Sequence, residues 1–121
     1  MTEVKPVKGV VIRPDGTHEE KVFRQLSDYQ EAVGGWIDAI RLYDYNATEI
    51  GNLYLDDEGL LKSQPLNPMA SAISYLLGNT PHLVGSVILV GKSDGEGYDT
   101  DIPDYLLTLI QNISAKQEKE A

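Results

Sequence analysis

A chain of 121 residues with no cysteine, and with 19 acids against 10 bases for a formal charge of −9, has the size of one domain with an ordinary core. The missing thiols exclude disulfides, thiolate zinc sites and cysteine nucleophiles, and the charge argues against direct nucleic-acid binding, which needs Lys and Arg to displace counterions from phosphate. No apolar run approaches the roughly 20 residues of a bilayer span and residues 1–6 lack the apolar stretch of a secretory leader, so a cytoplasmic protein without membrane segments is expected.

In chain order, residues 8–13 read as a strand through the β-branched Val10, Val11 and Ile12. Pro14-Asp15-Gly16-Thr17 is a turn, proline presetting φ and glycine taking the positive φ of a tight reversal. Residues 18–24, with Val22 and Phe23, return as the second arm of a hairpin. Ser27 stands at an N-cap position with Asp28 in the first turn; Tyr29, Ala32 and Val33 make one apolar face, and Gly34-Gly35 ends the helix. In the strand over 36–43, Trp36, Asp38, Ile40 and Leu42 share one face and Ile37, Ala39, Arg41 and Tyr43 the other. Neither face is cleanly polar, which predicts a central strand.

Residues 52–56 form the next strand, ended by Asp57-Glu58-Gly59. Asn67-Pro68 opens a helix, asparagine capping free amides and proline sitting in the first turn without losing a bond. Met69, Ala70, Ala72, Ile73, Leu76 and Leu77 form its buried stripe, closed by Gly78. Residues 83–90 are the most apolar strand, placed inside the sheet, with Gly85 marking a bulge or a close backbone approach. A polar loop over 93–101 leads to Pro103 and a last helix carrying Leu106, Leu107, Ile110 and Ile113 at helical spacing.

The order ββαββαβα predicts an α+β domain: a mostly antiparallel sheet of about five strands with helices packed mainly on one face. One domain spans 1–121, ordered over about 7–115 and fraying at 116–121. The expected core is Val10, Ile12, Ile37 or its neighbour Trp36, Ile40, Leu42, Leu53, Ile73, Leu76, Leu77, Val87, Leu89, Leu106 and Ile110. Three helices over five strands leave part of one sheet face uncovered. A homodimer built on the Val87 and Leu89 surface, with Tyr43 and Tyr45 near its rim, follows as an expectation.

Read together, Gly34-Gly35-Trp36-Ile37, Arg41-Leu42, Asp57-Glu58-Gly59-Leu60-Leu61, Leu66-Asn67-Pro68-Met69-Ala70 and Leu83-Val84-Gly85 resemble the signature of a small uncharacterised domain family of bacteriophages, actinobacteria and other bacteria. Its members share a Gly-Gly-(Trp/Tyr)-(Ile/Val) segment, an acidic-Glu-Gly turn, an Asn-Pro-x-Ala helix start and a Leu-Val-Gly strand. Ser86 departs from the acid that many of them carry there. The family has no established reaction and is found near, or fused to, antirestriction-type proteins. The resemblance therefore implies an accessory role in phage or plasmid biology.

No nucleophile elbow, phosphate loop or dinucleotide fingerprint occurs, so no catalytic residue and no cofactor is expected. Asp94, Glu96, Asp99 and Asp101 lack the ligand alternation of a calcium loop, and His18 and His82 have no metal-motif companions. No metal is expected. Asn67 either caps a helix or lends its amides to an anion. Trp36 and Arg41 either belong to core and ion pair or form a platform that stacks and pairs with an anionic group. Tyr43, Tyr45 and Asn46 suit an interface rim. The expectation is a non-enzymatic protein that binds a host or defence component, with a basic protein favoured by the acidic surface. The alternatives are a binder of a small anionic, nucleotide-like ligand through Arg41, Trp36 and Asn67, and a purely self-associating protein.

Overall fold

The computed structural model describes residues 6–44, 46–59, 62–79, 82–96 and 98–120. β1 (Val7–Ile12) and β2 (His18–Phe23) form one antiparallel hairpin, and β3 (Ile37–Tyr43) and β4 (Glu49–Asp56) form another. β5 (Val87–Val90) lies between them, antiparallel to β1 and to β4, so the strand order is β2-β1-β5-β4-β3. Leu89 sits between Val10 and Leu53 in one cross-strand row. The three helices are α1 (Leu26–Val33), α2 (Pro68–Leu76) and α3 (Asp104–Glu120). The fold is α+β.

Strand alternation divides the core. Val10, Ile12, Leu42, Leu53, Val87 and Leu89 point to the side where Met69, Ala70 and Ile73 of α2 and Leu106 and Ile110 of α3 pack. Val7, Val11, Phe23, Ile88 and Val90 point the other way, toward Tyr29, Ala32 and Val33 of α1. Phe23 stacks on Tyr29 with centroids 4.7 Å apart, and Tyr29 meets Tyr54 edge-on at 5.2 Å. Each large side chain buried in this way contributes about 1.5–3 kcal/mol. Two helices thus share one face, while α1 covers the other over β4 and β5. The partly uncovered face expected from the sequence is not found there: every residue of β5 is buried.

Five expectations shift. β3 is an edge strand and not a central one, because β5 inserts between the hairpins and takes β4 as its neighbour. Trp36 and Leu76 leave the core, at 67% and 62% exposure: Trp36 precedes the edge strand, and Leu76 is the last residue of α2, beyond the sheet contact. α1 begins two residues early, because the Asp28 carboxylate, and not Ser27, closes its start by accepting from the amides of Arg24 (2.8 Å) and Gln25 (3.3 Å). The strand over 83–90 shortens to β5, since Gly85 turns at φ +75° and donates its amide to the Pro65 carbonyl (2.8 Å). α3 runs to Glu120, past the fraying expected from 116, since nothing from Lys116 onward is a helix breaker.

Candidate functional site

The segments singled out in the sequence meet in pairs. Gly34 ends α1 at φ +86°, a left-handed conformation that suits glycine. Gly35 has a different reason: a Cβ there would lie 2.7 Å from Lys62 Nζ and 2.9 Å from both carboxylate oxygens of Asp56. Asp56 is buried, accepting from Lys62 Nζ (2.8 Å), Gln64 Nε2 (3.0 Å) and the Glu58 amide (2.9 Å). The Lys62 ammonium, foremost, holds its pKa below the ordinary carboxylate value. The Asp57 amide then donates to the Trp36 carbonyl (3.0 Å), tying the glycine pair to the acidic turn.

Asn67 is fully buried, with its side chain committed. Its Oδ1 accepts from the Ala70 amide (3.1 Å) as a helix cap, and its Nδ2 donates to the carbonyls of Ile12 (3.0 Å) and Gly85 (2.8 Å). Its own amide donates to the Leu83 carbonyl (2.8 Å), beside the Leu66–Val84 bridge. The side chain is closed to a dissolved anion, and its work is to join β1, α2 and the segment before β5.

Trp36 and Arg41 do not form one platform. Five residues of extended chain separate them by about 17 Å, and alternation sends them to opposite sides of the strand. Arg41 is 59% exposed and pairs with Glu49, Nη1 to Oε1 at 3.5 Å. Tyr43, 41% exposed, follows a register shift after Leu42 and faces a shallow groove with Asp44, Ala47, Leu76, Leu77 and Asn79. Tyr45 lies outside the described residues. Along the open side of β3 the Ala39 amide donates to the Asp38 carboxylate (2.8 Å), and the Arg41 carbonyl accepts from Asn79 Nδ2 (3.5 Å). Residues of an antiparallel strand alternate in which neighbour they address, so Ala39 and Arg41 address the side away from β4.

A polar network not foreseen from the sequence occupies the α1 side of β4. The Tyr54 hydroxyl donates to Asp99 (2.7 Å to Oδ2), and Asn52 Nδ2 reaches Ser93 Oγ (3.2 Å) and Asp99 Oδ1 (3.5 Å). Ser93 donates its amide to Glu49 (3.2 Å), the partner of Arg41. Burial pushes Asp99 above the ordinary carboxylate range against the hydrogen bonds from Tyr54, Asn52 and Tyr29, and pushes the Tyr29 and Tyr54 hydroxyls up as well. The groups satisfy one another and anchor the 91–101 loop to the sheet. Asp94 meanwhile closes that loop by accepting from the Glu96 (2.8 Å) and Tyr98 (3.0 Å) amides.

Among the described residues no group of three or more His, Asp or Glu side chains is placed to hold a metal ion, and no helix is long and apolar enough to cross a membrane. A second groove, of about 510 Å³, runs between α1 and the β1–β2 hairpin, with Arg13, Lys21 and Arg24 beside Val11 and Phe23. The molecule is thus an α+β domain with a sealed two-sided core, open grooves and one aromatic-flanked sheet edge. The chain belongs to the family described as Domain of unknown function (DUF3846), whose model matches residues 7–115. No curated protein and no solved structure matches it.

Proposed function

We propose that this domain works by binding a protein partner, without catalysis, through the open edge of β3. One observation carries the reading: Trp36 is 67% exposed at one end of that edge, although Gly34, Gly35 and Asp56 around it all have conformational, packing or hydrogen-bond duties. A large aromatic left in water beside an unpaired strand suits partner recognition, since aromatic anchors dominate interface energetics and sheet edges accept added strands. Tyr43 and Leu76 extend the surface at the other end. The charge of −9 favours a basic partner. The family resemblance suggests the setting: an accessory protein of a phage or mobile element that engages a host or defence component in the host cytoplasm.

Affinity capture from host cells tests this with the wild type beside a Trp36→Ala/Tyr43→Glu variant. A protein held by the wild type, released by salt and lost with the variant supports the reading. A protein held equally by both, or a small molecule alone, defeats it. A second reading, a small anionic ligand, draws on Lys21 and Arg24 in the α1 groove. Among the described residues, neither side-chain charge has a carboxylate within 4.0 Å, although Asp28 and Glu31 also line the groove. Titration with inorganic phosphate and nucleotides, followed through amide shifts of Lys21 and Arg24, decides it.

A further inference from the structure

We infer that the β3 edge takes an extended, basic segment of its partner as an added strand, with a Lys or Arg side chain of that segment seated on Trp36; this rests on the protein-binding reading above. Two outward-facing backbone groups of the open edge are already occupied, by the exposed Asp38 and the half-buried Asn79. The Asp38 carboxylate occupies the Ala39 amide at 2.8 Å, and Asn79 Nδ2 reaches the Arg41 carbonyl at 3.5 Å. Both are side-chain stand-ins for a neighbouring strand. An incoming strand replaces them group for group, its carbonyl on the Ala39 amide and its amide on the Arg41 carbonyl.

The exchange releases a charge. Asp38 and Trp36 lie two residues apart and so on the same side of β3, about 7 Å from one another along the strand. Asp57, whose amide holds the Trp36 carbonyl at 3.0 Å, and Glu58 are exposed beside them. Once displaced from Ala39, the Asp38 carboxylate joins Asp57 and Glu58 near an exposed indole, while the one neighbouring cation among the described residues, Lys62, is already paired with Asp56. An aromatic face with a surplus of carboxylates beside it selects a cation, guanidinium or ammonium, and rejects an acidic side chain. A second copy of this chain, itself at −9, is the disfavoured occupant. The stand-ins give the edge a second property: a segment that is basic but not extended does not displace them, so backbone geometry and charge are selected together.

The test uses a ten-residue peptide of alternating Lys and Val, its Glu/Val counterpart, and a Lys/Val version N-methylated at alternate backbone positions. Trp36 is the only tryptophan, so its fluorescence reports occupancy directly, and amide exchange at Ala39 reports strand addition in the unmodified protein. The Lys/Val peptide is expected to shift the emission and slow exchange at Ala39, and the other two to do neither. Trp36→Ala, at an exposed position that leaves the fold intact, is expected to weaken the labelled Lys/Val peptide about tenfold. Equal binding of the N-methylated peptide, a change below twofold in Trp36→Ala, or no binding at millimolar peptide overturns the inference. If a captured partner still depends on Trp36 and Tyr43 in that event, the protein-binding reading stands without strand addition; if it does not, both fall.

Discussion

Gly34 and Gly35 are adjacent and needed for unlike reasons. Gly34→Val places a β-branched residue at φ +86° with nothing nearby to clash, so its cost is conformational, about 1–2 kcal/mol. Gly35→Val instead drives a side chain into the Asp56–Lys62 pair and should cost more. Urea denaturation separates them: the losses from Gly35→Val and Lys62→Ala should sum to more than the loss of the double variant, whereas those from Gly34→Val and Lys62→Ala should add. Asn67→Ala leaves the Ala70 amide and the carbonyls of Ile12 and Gly85 buried without their partner, at about 1–3 kcal/mol each. A loss below 1 kcal/mol in that variant would show that water enters the site. These positions were legible in the sequence because a left-handed helix end and an Asn-Pro start are local chemistry. The companions of Gly35 and Asn67 were not, since Asp56, Ile12 and Gly85 reach them only through tertiary folding.

At the scale of elements, β4 holds its two flanking segments through carboxylates whose titration works in opposite senses: Asp56 binds Lys62 and Gln64, and Asp99 of the 91–101 loop binds Tyr54 and Asn52. The folded pKa of Asp56 is lowered, so its stabilisation is present above the unfolded value and is lost as pH falls through the folded one. The folded pKa of Asp99 is raised, so its contribution is present below the unfolded value and declines as pH rises from there through the folded one. Stability measured from pH 2 to 8 is expected to rise and then dip. Asp99→Asn should remove the dip and keep the acid-side loss; an unchanged profile would mean that water solvates Asp99. The sequence shows Asp99 only as one of four loop acids, because Tyr54 stands 45 residues away and no pattern encodes that distance. For the same reason alternation identified the faces of β3 correctly and its rank in the sheet wrongly. Mixed faces with Asp38 and Arg41 suit an edge as readily as an interior, and strand order is decided by where β5 inserts.

For the whole molecule, helices on both sides remove the apolar face that motivated a homodimer. Sedimentation equilibrium at micromolar concentration is expected to return the monomer mass, and twice that mass would restore self-association as a reading. Partner binding should weaken as salt rises, since a chain at −9 draws a basic partner from beyond contact range. Salt-independent affinity would instead assign the binding to the aromatic ends of β3 alone.

The insertion of β5 also sets a timetable. The two hairpins are complete by Asp56, but the strand that joins them begins at Val87. At roughly 5–20 residues per second, a ribosome needs about two to six seconds to cross that interval. Throughout it the nascent chain holds two ribbons whose inner edges, on β1 and β4, have no neighbour. Its exposure to misassociation is therefore a matter of time during synthesis, and it closes when four residues arrive to seal both edges at once.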